Sequence, residues 1–155
     1  MNRDQIYAVL MALNDDSMLL PNAAVAEVLS RDALRVGGGG PPWLLGHCEW
    51  NNRRVPVIRF ELLNGGGGSG GDPRRERVVV LNSVGRHLPS GNLAILTQGY
   101  PHLVTLNRAA LHPVELDSVD RDDLVLSRVR IASQVALIPD LVTVEAEIAR
   151  AQVAA

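Results

Sequence analysis

The feature that most constrains this chain is its punctuation. Apolar runs of four to nine residues recur along its length, and each is cut by Gly, Pro, Asn or Asp. Only the last run is long enough, and correctly spaced, for an amphipathic helix. Short runs between turn residues are the pattern of strands, and many short strands in one chain read as a barrel or sandwich. Ten of the 14 glycines fall in two runs, 37–40 and 65–71. The first is closed by Pro41-Pro42. The second, within Asn64–Asp72, reads as a flexible Gly/Ser loop, either an interlobe connection or a foreign linker. At 155 residues the chain suits one domain made of two small lobes with one core, and needs no disulfide or metal to fold.

Individual elements follow. Gln5–Leu13 and Met18–Leu20 flank an Asn-Asp-Asp-Ser turn and predict a β-hairpin. Ala23–Ser30 fits a strand or one short helical turn. Leu44–Trp50 and Arg54–Leu62 predict two strands joined at Asn51-Asn52, because Asn tolerates the positive φ of a two-residue hairpin turn. Arg77–Leu81, Asn92–Thr97, Leu103–Leu106 and Pro113–Leu116 are further strands, and Asp117–Asp123 is an acidic turn. Val125–Ile131 nearly alternates, which predicts a wet face carrying Arg128 and Arg130. Asp140 is placed to cap a C-terminal helix with Leu141, Val144, Ile148 and Ala151 on its apolar stripe and Glu145, Glu147 and Arg150 off it.

Composition excludes several functions. The 15 basic residues are all Arg, against 17 acids, for a net charge of −2. Without Lys there is no Schiff-base chemistry and no Walker-type phosphate lysine. The balance is too even for an electrostatic nucleic-acid binder. Cys48 is the single cysteine, so no intrachain disulfide forms. His47, His87, His102 and His112 are scattered rather than spaced as metal ligands. No nucleophile elbow, H-E-x-x-H motif or P-loop is present. Hence no catalytic residue, metal or cofactor is expected. The N-terminus lacks a signal-peptide pattern, and no apolar run reaches the roughly 18 residues of a membrane span. A cytoplasmic location without direct membrane insertion is expected.

The block Gly46-His47-Cys48-Glu49-Trp50-Asn51-Asn52-Arg53-Arg54-Val55-Pro56-Val57-Ile58-Arg59-Phe60 resembles the signature of CheW-like domains, G-x-x-x-(L/W)-R-G-x-x-V-P-V-I-D-L. Val25-Ala26-Glu27-Val28 resembles the family's V-x-E-(I/V) strand. Arg77–Leu81, Gly85-Arg86 and Leu93–Thr97 follow its central strands in order. Asn51-Asn52 replaces the usual Arg-Gly, Arg59 replaces the usual Asp, and Thr97–Pro101 (TQGYP) replaces the V-D-x-V segment. The W-L-L-G…W form and the Q-G-Y-P segment look more like CheW-type proteins of pilus-linked chemosensory systems than the flagellar adaptor, which implies an output in twitching, type IV pilus motility.

The resemblance implies an all-β fold of two five-stranded β-barrel lobes around a shared hydrophobic core, with a C-terminal α-helix, the whole forming a single domain over 1–155. It implies a non-enzymatic adaptor that binds the regulatory domain of a CheA-type histidine kinase and the cytoplasmic tip of a methyl-accepting chemoreceptor. Carried over by position, the protein-binding residues are Val25, Glu27 and Val28, the signature turn Trp50, Asn51, Asn52, Arg53 and Arg54, and Arg59. The same residues have structural readings: Val25 and Val28 as core, Trp43 and Trp50 as barrel plugs, Arg53 and Arg54 as a solvated turn. Two other classes stay open. Trp43, Trp50 and the neighbouring Arg could serve a single-stranded nucleic-acid-binding barrel. A deep polar pocket would instead mark a small-molecule-binding barrel or a hydrolase. Oligomeric state is left open.

Overall fold

The computed structural model describes residues 5–66, 71–82 and 85–154. The centre of the second Gly run, 67–70, lies outside them, as do 83–84 in the turn after the Arg77–Leu81 run.

The predicted first hairpin forms as β1 (Gln5–Ala12) and β2 (Ser17–Pro21). Its turn closes by the Leu13 N–H donating to the Asp16 carbonyl at 2.8 Å, while the Asp16 carboxylate accepts from the Ser17 N–H at 2.9 Å. Residues 22–30 realise both readings in sequence: a 3₁₀ turn at Asn22–Ala24, then β3 (Val25–Ser30). A two-residue β4 (Arg35–Val36) follows, and then β5 (Leu44–Trp50) and β6 (Arg53–Ile58). Asn51 and Asn52 join them at φ 53° and 61°, the double left-handed conformation of a type I′ turn.

The strand expected to run to Leu62 ends at Ile58. Phe60–Leu63 is instead a single helical turn, α1. Four apolar-rich residues cannot reveal their period. The turn buries both Phe60 and Leu63.

The chain continues through β7 (Arg77–Asn82), β8 (Asn92–Thr97), β9 (His102–Asn107), β10 (His112–Val114), β11 (Val125–Ile131) and β12 (Gln134–Pro139) to the helix α2 (Leu141–Ala154). The strand expected at 113–116 thus lies slightly earlier, and Leu116 is outside it.

Two sheets result. One is ordered β10-β11-β12-β2-β1-β9, the other β3-β7-β8-β6-β5-β4. Each has one parallel junction, β12 with β2 and β6 with β8, between otherwise antiparallel pairs. Each sheet holds five substantial strands; the sixth is the three-residue β10 or the two-residue β4.

Burial explains the continuous apolar runs. On β7, Val78 and Val80 enter a cluster inside the second lobe with Cys48, Val55, Val57, Ala94 and Leu96. Val79 and Leu81 face the other way, into a cluster shared with Met11, Met18, Leu124 and Leu137 of the first lobe. The first lobe has its own inner cluster around Ala8, Leu19, Leu106, Val129 and Ala136. Strands buried on both faces lose the polar half of the alternation. The shared cluster takes residues from both sheets and is closed by Val144 and Ile148 of α2.

The C-terminal helix starts as predicted, with the Asp140 carboxylate accepting from the Thr143 N–H at 3.2 Å. Glu145 departs from its expected exposed place. It is fully buried and accepts from the Gly85 N–H at 2.8 Å, tying the 85–91 turn to the helix.

Arg128 also departs. The register shifts between Val125 and Ser127, a bulge that breaks the alternation, and Arg128 is 4% exposed rather than on a wet face. Its guanidinium is held by Asp16 and Asp120, which join the β1–β2 turn and the 117–123 turn to β11.

Candidate functional site

The signature hairpin projects its tip into solvent. Asn51, Asn52, Arg53 and Arg54 are exposed, whereas Trp50 is half-buried and packs on the inner cluster of the second lobe. Trp50 therefore braces the turn, and the polar residues present it. Arg53 is anchored by Nη1 donating to the Ser90 carbonyl at 2.9 Å. Arg54 Nη2 sits 3.2 Å from His47 Nδ1. Burial, and then the charge of Arg54, lower the His47 pKa; Glu49 opposes them and Arg35 adds to the lowering. The neutral imidazole is thereby favoured, and it accepts from Arg54.

The second predicted group lies on β3, which is an edge strand of its sheet. Val25 and Val28 are half-buried against the shared cluster, while Glu27 is exposed. The register with β7 shifts between Val25 and Glu27, which marks a bulge. Three strands lie between β3 and β5 in the sheet order, so the two groups sit on separate strand neighbourhoods.

Arg59 joins neither group. It precedes α1, and its Nη2 is 3.2 Å from Glu76 Oε2, while Arg31 Nε is 3.2 Å from Glu76 Oε1. Glu76 is 5% exposed, so a buried carboxylate is balanced by two guanidinium groups and Arg59 is engaged within the fold.

The structure adds a patch that the sequence reading missed. Tyr7, Tyr100 and Leu103 are 63%, 62% and 75% exposed. Tyr7 lies opposite Thr105 in the β1–β9 pair, so Leu103, two residues along β9, is its diagonal neighbour on the same face. Tyr100 stacks over Arg77, with Cζ 4.6 Å from the ring centroid. An open groove of about 610 Å³ runs from Tyr100 and Arg77 to Ser30, Arg31 and Asp32 at the end of β3. Tyr100 and the end of β3 are thus neighbours across the groove. The signal in the sequence was the alternation of His102–Asn107, where Val104 and Leu106 share one face and Leu103 falls on the other.

Among the described residues, no three His, Cys, Asp or Glu side chains converge as a metal site. No helix among them is long and apolar enough to cross a membrane.

Comparison with known proteins agrees with this architecture. The CheW-like domain profile matches residues 8–147. Among solved structures, the scaffolding protein TtCheW from Thermoanaerobacter tengcongensis superposes with a TM-score of 0.71, at 15% identity, over 88% of this chain and 89% of that one. No curated protein sequence matches the chain. The profile spans both sheets and the first half of α2, and on that ground the chain belongs to the CheW-like domain family, the non-enzymatic scaffold domains of chemotaxis signalling.

Proposed function

We propose that this chain is a cytoplasmic adaptor that couples chemoreceptors to a CheA-type histidine kinase. The observation that carries the proposal is the exposed Tyr7–Leu103 pair on one face of β1 and β9, with the exposed Tyr100 three residues before Leu103 lining the groove at the end of β3. Large apolar side chains in such a cluster mark a protein-binding surface. An amphipathic helix, such as the helical tip of a receptor, would lay its i, i+3, i+4 apolar face on Tyr7 and Leu103. The kinase regulatory domain takes the polar hairpin tip, Asn51, Asn52, Arg53 and Arg54, with the exposed Glu27 on β3 as a further contact. The two lobes act as one domain, since both contribute to the shared cluster. The Q-G-Y-P segment, which supplies Tyr100 to the groove, favours a pilus-linked pathway and so control of twitching motility. The half-buried Trp50 leaves the Arg-bearing tip without a stacking platform for nucleic acid.

The test is calorimetric titration with the cognate kinase regulatory domain and with a receptor-tip fragment. Binding near micromolar affinity, about −8 kcal/mol, is expected for at least one partner. Leu103→Asp should weaken the receptor fragment by at least about tenfold, and Arg54→Glu should do the same for the kinase domain. Absence of binding to both partners at micromolar concentrations overturns the adaptor assignment.

A further inference from the structure

The β1–β2 turn carries an unfinished polar site. Between the β1–β2 turn and the 115–120 segment lies a partly open cavity of about 160 Å³, lined by Asn14, Glu61, Asn64, Asp117 and Arg128 among others. It shares Asp15, Asp16, Asp117 and Arg128 with a wider cleft of about 450 Å³ that adds Glu115 and Val135. Among the described residues Arg128 is the one cation lining either space, and it is already bound to Asp16 and Asp120, with Asp117 3.5 Å away. Asp15, Glu61 and Glu115 form no ion pair among the described residues.

The inner end of the cavity is the informative part. Asn14 is 7% exposed and Glu61 9%. Glu61 Oε2 accepts from the Asn14 N–H at 2.8 Å. Glu61 Oε1, Asn14 Oδ1 and Asn14 Nδ2 are buried with no partner. A buried carboxylate oxygen without a donor is costly, and a surplus of acids around it raises that cost. The group that relieves both is a cationic donor. The cavity has room for one guanidinium or ammonium head, and the exposed Val119 and Val135 at its edge suit the aliphatic stem behind it. No three metal-ligating side chains converge here among the described residues, which disfavours a bare metal ion.

We propose that this cleft is a second docking surface, for a basic segment of a partner protein that inserts one Arg or Lys side chain toward Glu61. Its lining shares no residue with the hairpin tip or with Tyr7, Tyr100 and Leu103, so failure of kinase or receptor binding leaves it standing.

The experiment uses the full chain at physiological salt with a fluorescein-labelled Gly-Arg-Arg-Gly peptide and its citrulline counterpart. The arginine peptide is expected to bind in the sub-millimolar range and the neutral citrulline peptide at least about tenfold more weakly. Glu61→Gln, which keeps the shape and one acceptor, should weaken the arginine peptide about tenfold, and the exposed Asp122→Asn less than about twofold. Asp15→Asn and Glu115→Gln lie on the exposed rim and leave the core untouched; each should weaken binding about threefold. The side-chain amide resonance of Asn14 should shift with the arginine peptide. The proposal is overturned by no binding at 1 mM peptide, by equal binding of the citrulline peptide, or by rim and Glu61 variants that all keep wild-type affinity. It also fails if Ca²⁺ or Mg²⁺ alone produces the same Asn14 shift.

Discussion

Arg128 Nε lies 2.6 Å from Asp120 Oδ2, and both side chains are almost wholly out of solvent, 5% and 0% exposed. The same guanidinium grips Asp16 through both of its terminal nitrogens, at 2.9 and 2.8 Å. One cation thus holds two turns that are more than a hundred residues apart in sequence. Replacing Arg128 by Met leaves two carboxylates facing each other without a counter-charge. The expected loss is about 3–5 kcal/mol of unfolding free energy, read by urea denaturation.

The same pair predicts an acid limb. The hydrogen bond from Arg128 lowers the Asp120 carboxyl from 3.8 to about 2, against the opposing effect of burial. A carboxylate with a lowered folded-state pKa adds stability that is complete above its unfolded value and is lost as pH falls through the folded one. The contribution is about 2 kcal/mol, lost between about pH 4 and pH 2. Urea midpoints measured across that range should fall more steeply for the wild type than for Asp120→Asn. Parallel slopes would remove Asp120 from the acid response.

The signature turn is held by backbone conformation. Asn51 and Asn52 both sit at positive φ, so Asn51→Val or Asn52→Val should cost about 1–2 kcal/mol each. Asn52→Gly should stay within about 0.5 kcal/mol of wild type, because Asn-Gly is the preferred pair for this turn. Thermal melts of the three variants check the ranking.

Gly46 is a close-approach glycine. A Cβ there would collide with the Arg35 carbonyl oxygen and lie 2.8 Å from the Gly37 nitrogen. Gly46→Ala should cost about 1–3 kcal/mol and loosen β4 from β5. Hydrogen exchange would show it as faster exchange at the Gly37 amide, which donates to the Leu45 carbonyl at 3.0 Å.

Cys48 is fully buried, and burial pushes its thiol pKa up. The native protein should react with a disulfide exchange reagent only at the rate at which it opens, and promptly in denaturant. Rapid native labelling would mean that the second lobe opens readily.

These outcomes separate what was readable in the chain from what was not. The Asn-Asn turn, the Asp140 cap and the strands around Val79 and Ile95 were legible because their causes are local: a positive φ, an orphan N–H, an unbroken apolar run. Arg128 was misplaced because its counter-charges at 16 and 120 are brought to it only by the fold, and because the bulge at 125–127 resets which side of β11 it occupies. Glu145 was misplaced for a similar reason, since its backbone partner Gly85 sits 60 residues away. At the candidate site, the hairpin tip could be found from its motif. Tyr7 and Leu103 could not, because a lone exposed apolar residue is unremarkable until the β1–β9 pairing sets two side by side.

The two-sided burial of β7 and β8 has a consequence for folding fidelity. In a strand with one wet face, a slip of one residue drives polar groups inward and is rejected at once. Slipping β7 past β8 by one residue would still place Val or Leu on both faces, so apolar sorting does little to reject the error. The pairing must be policed at its ends. Arg77 is held opposite Thr97 there, and Asn82 opposite Asn92, whose side-chain amide donates to the Leu81 carbonyl at 3.0 Å. These polar bookends act as proofreaders for the two strands of the second lobe that pack one face into the shared cluster.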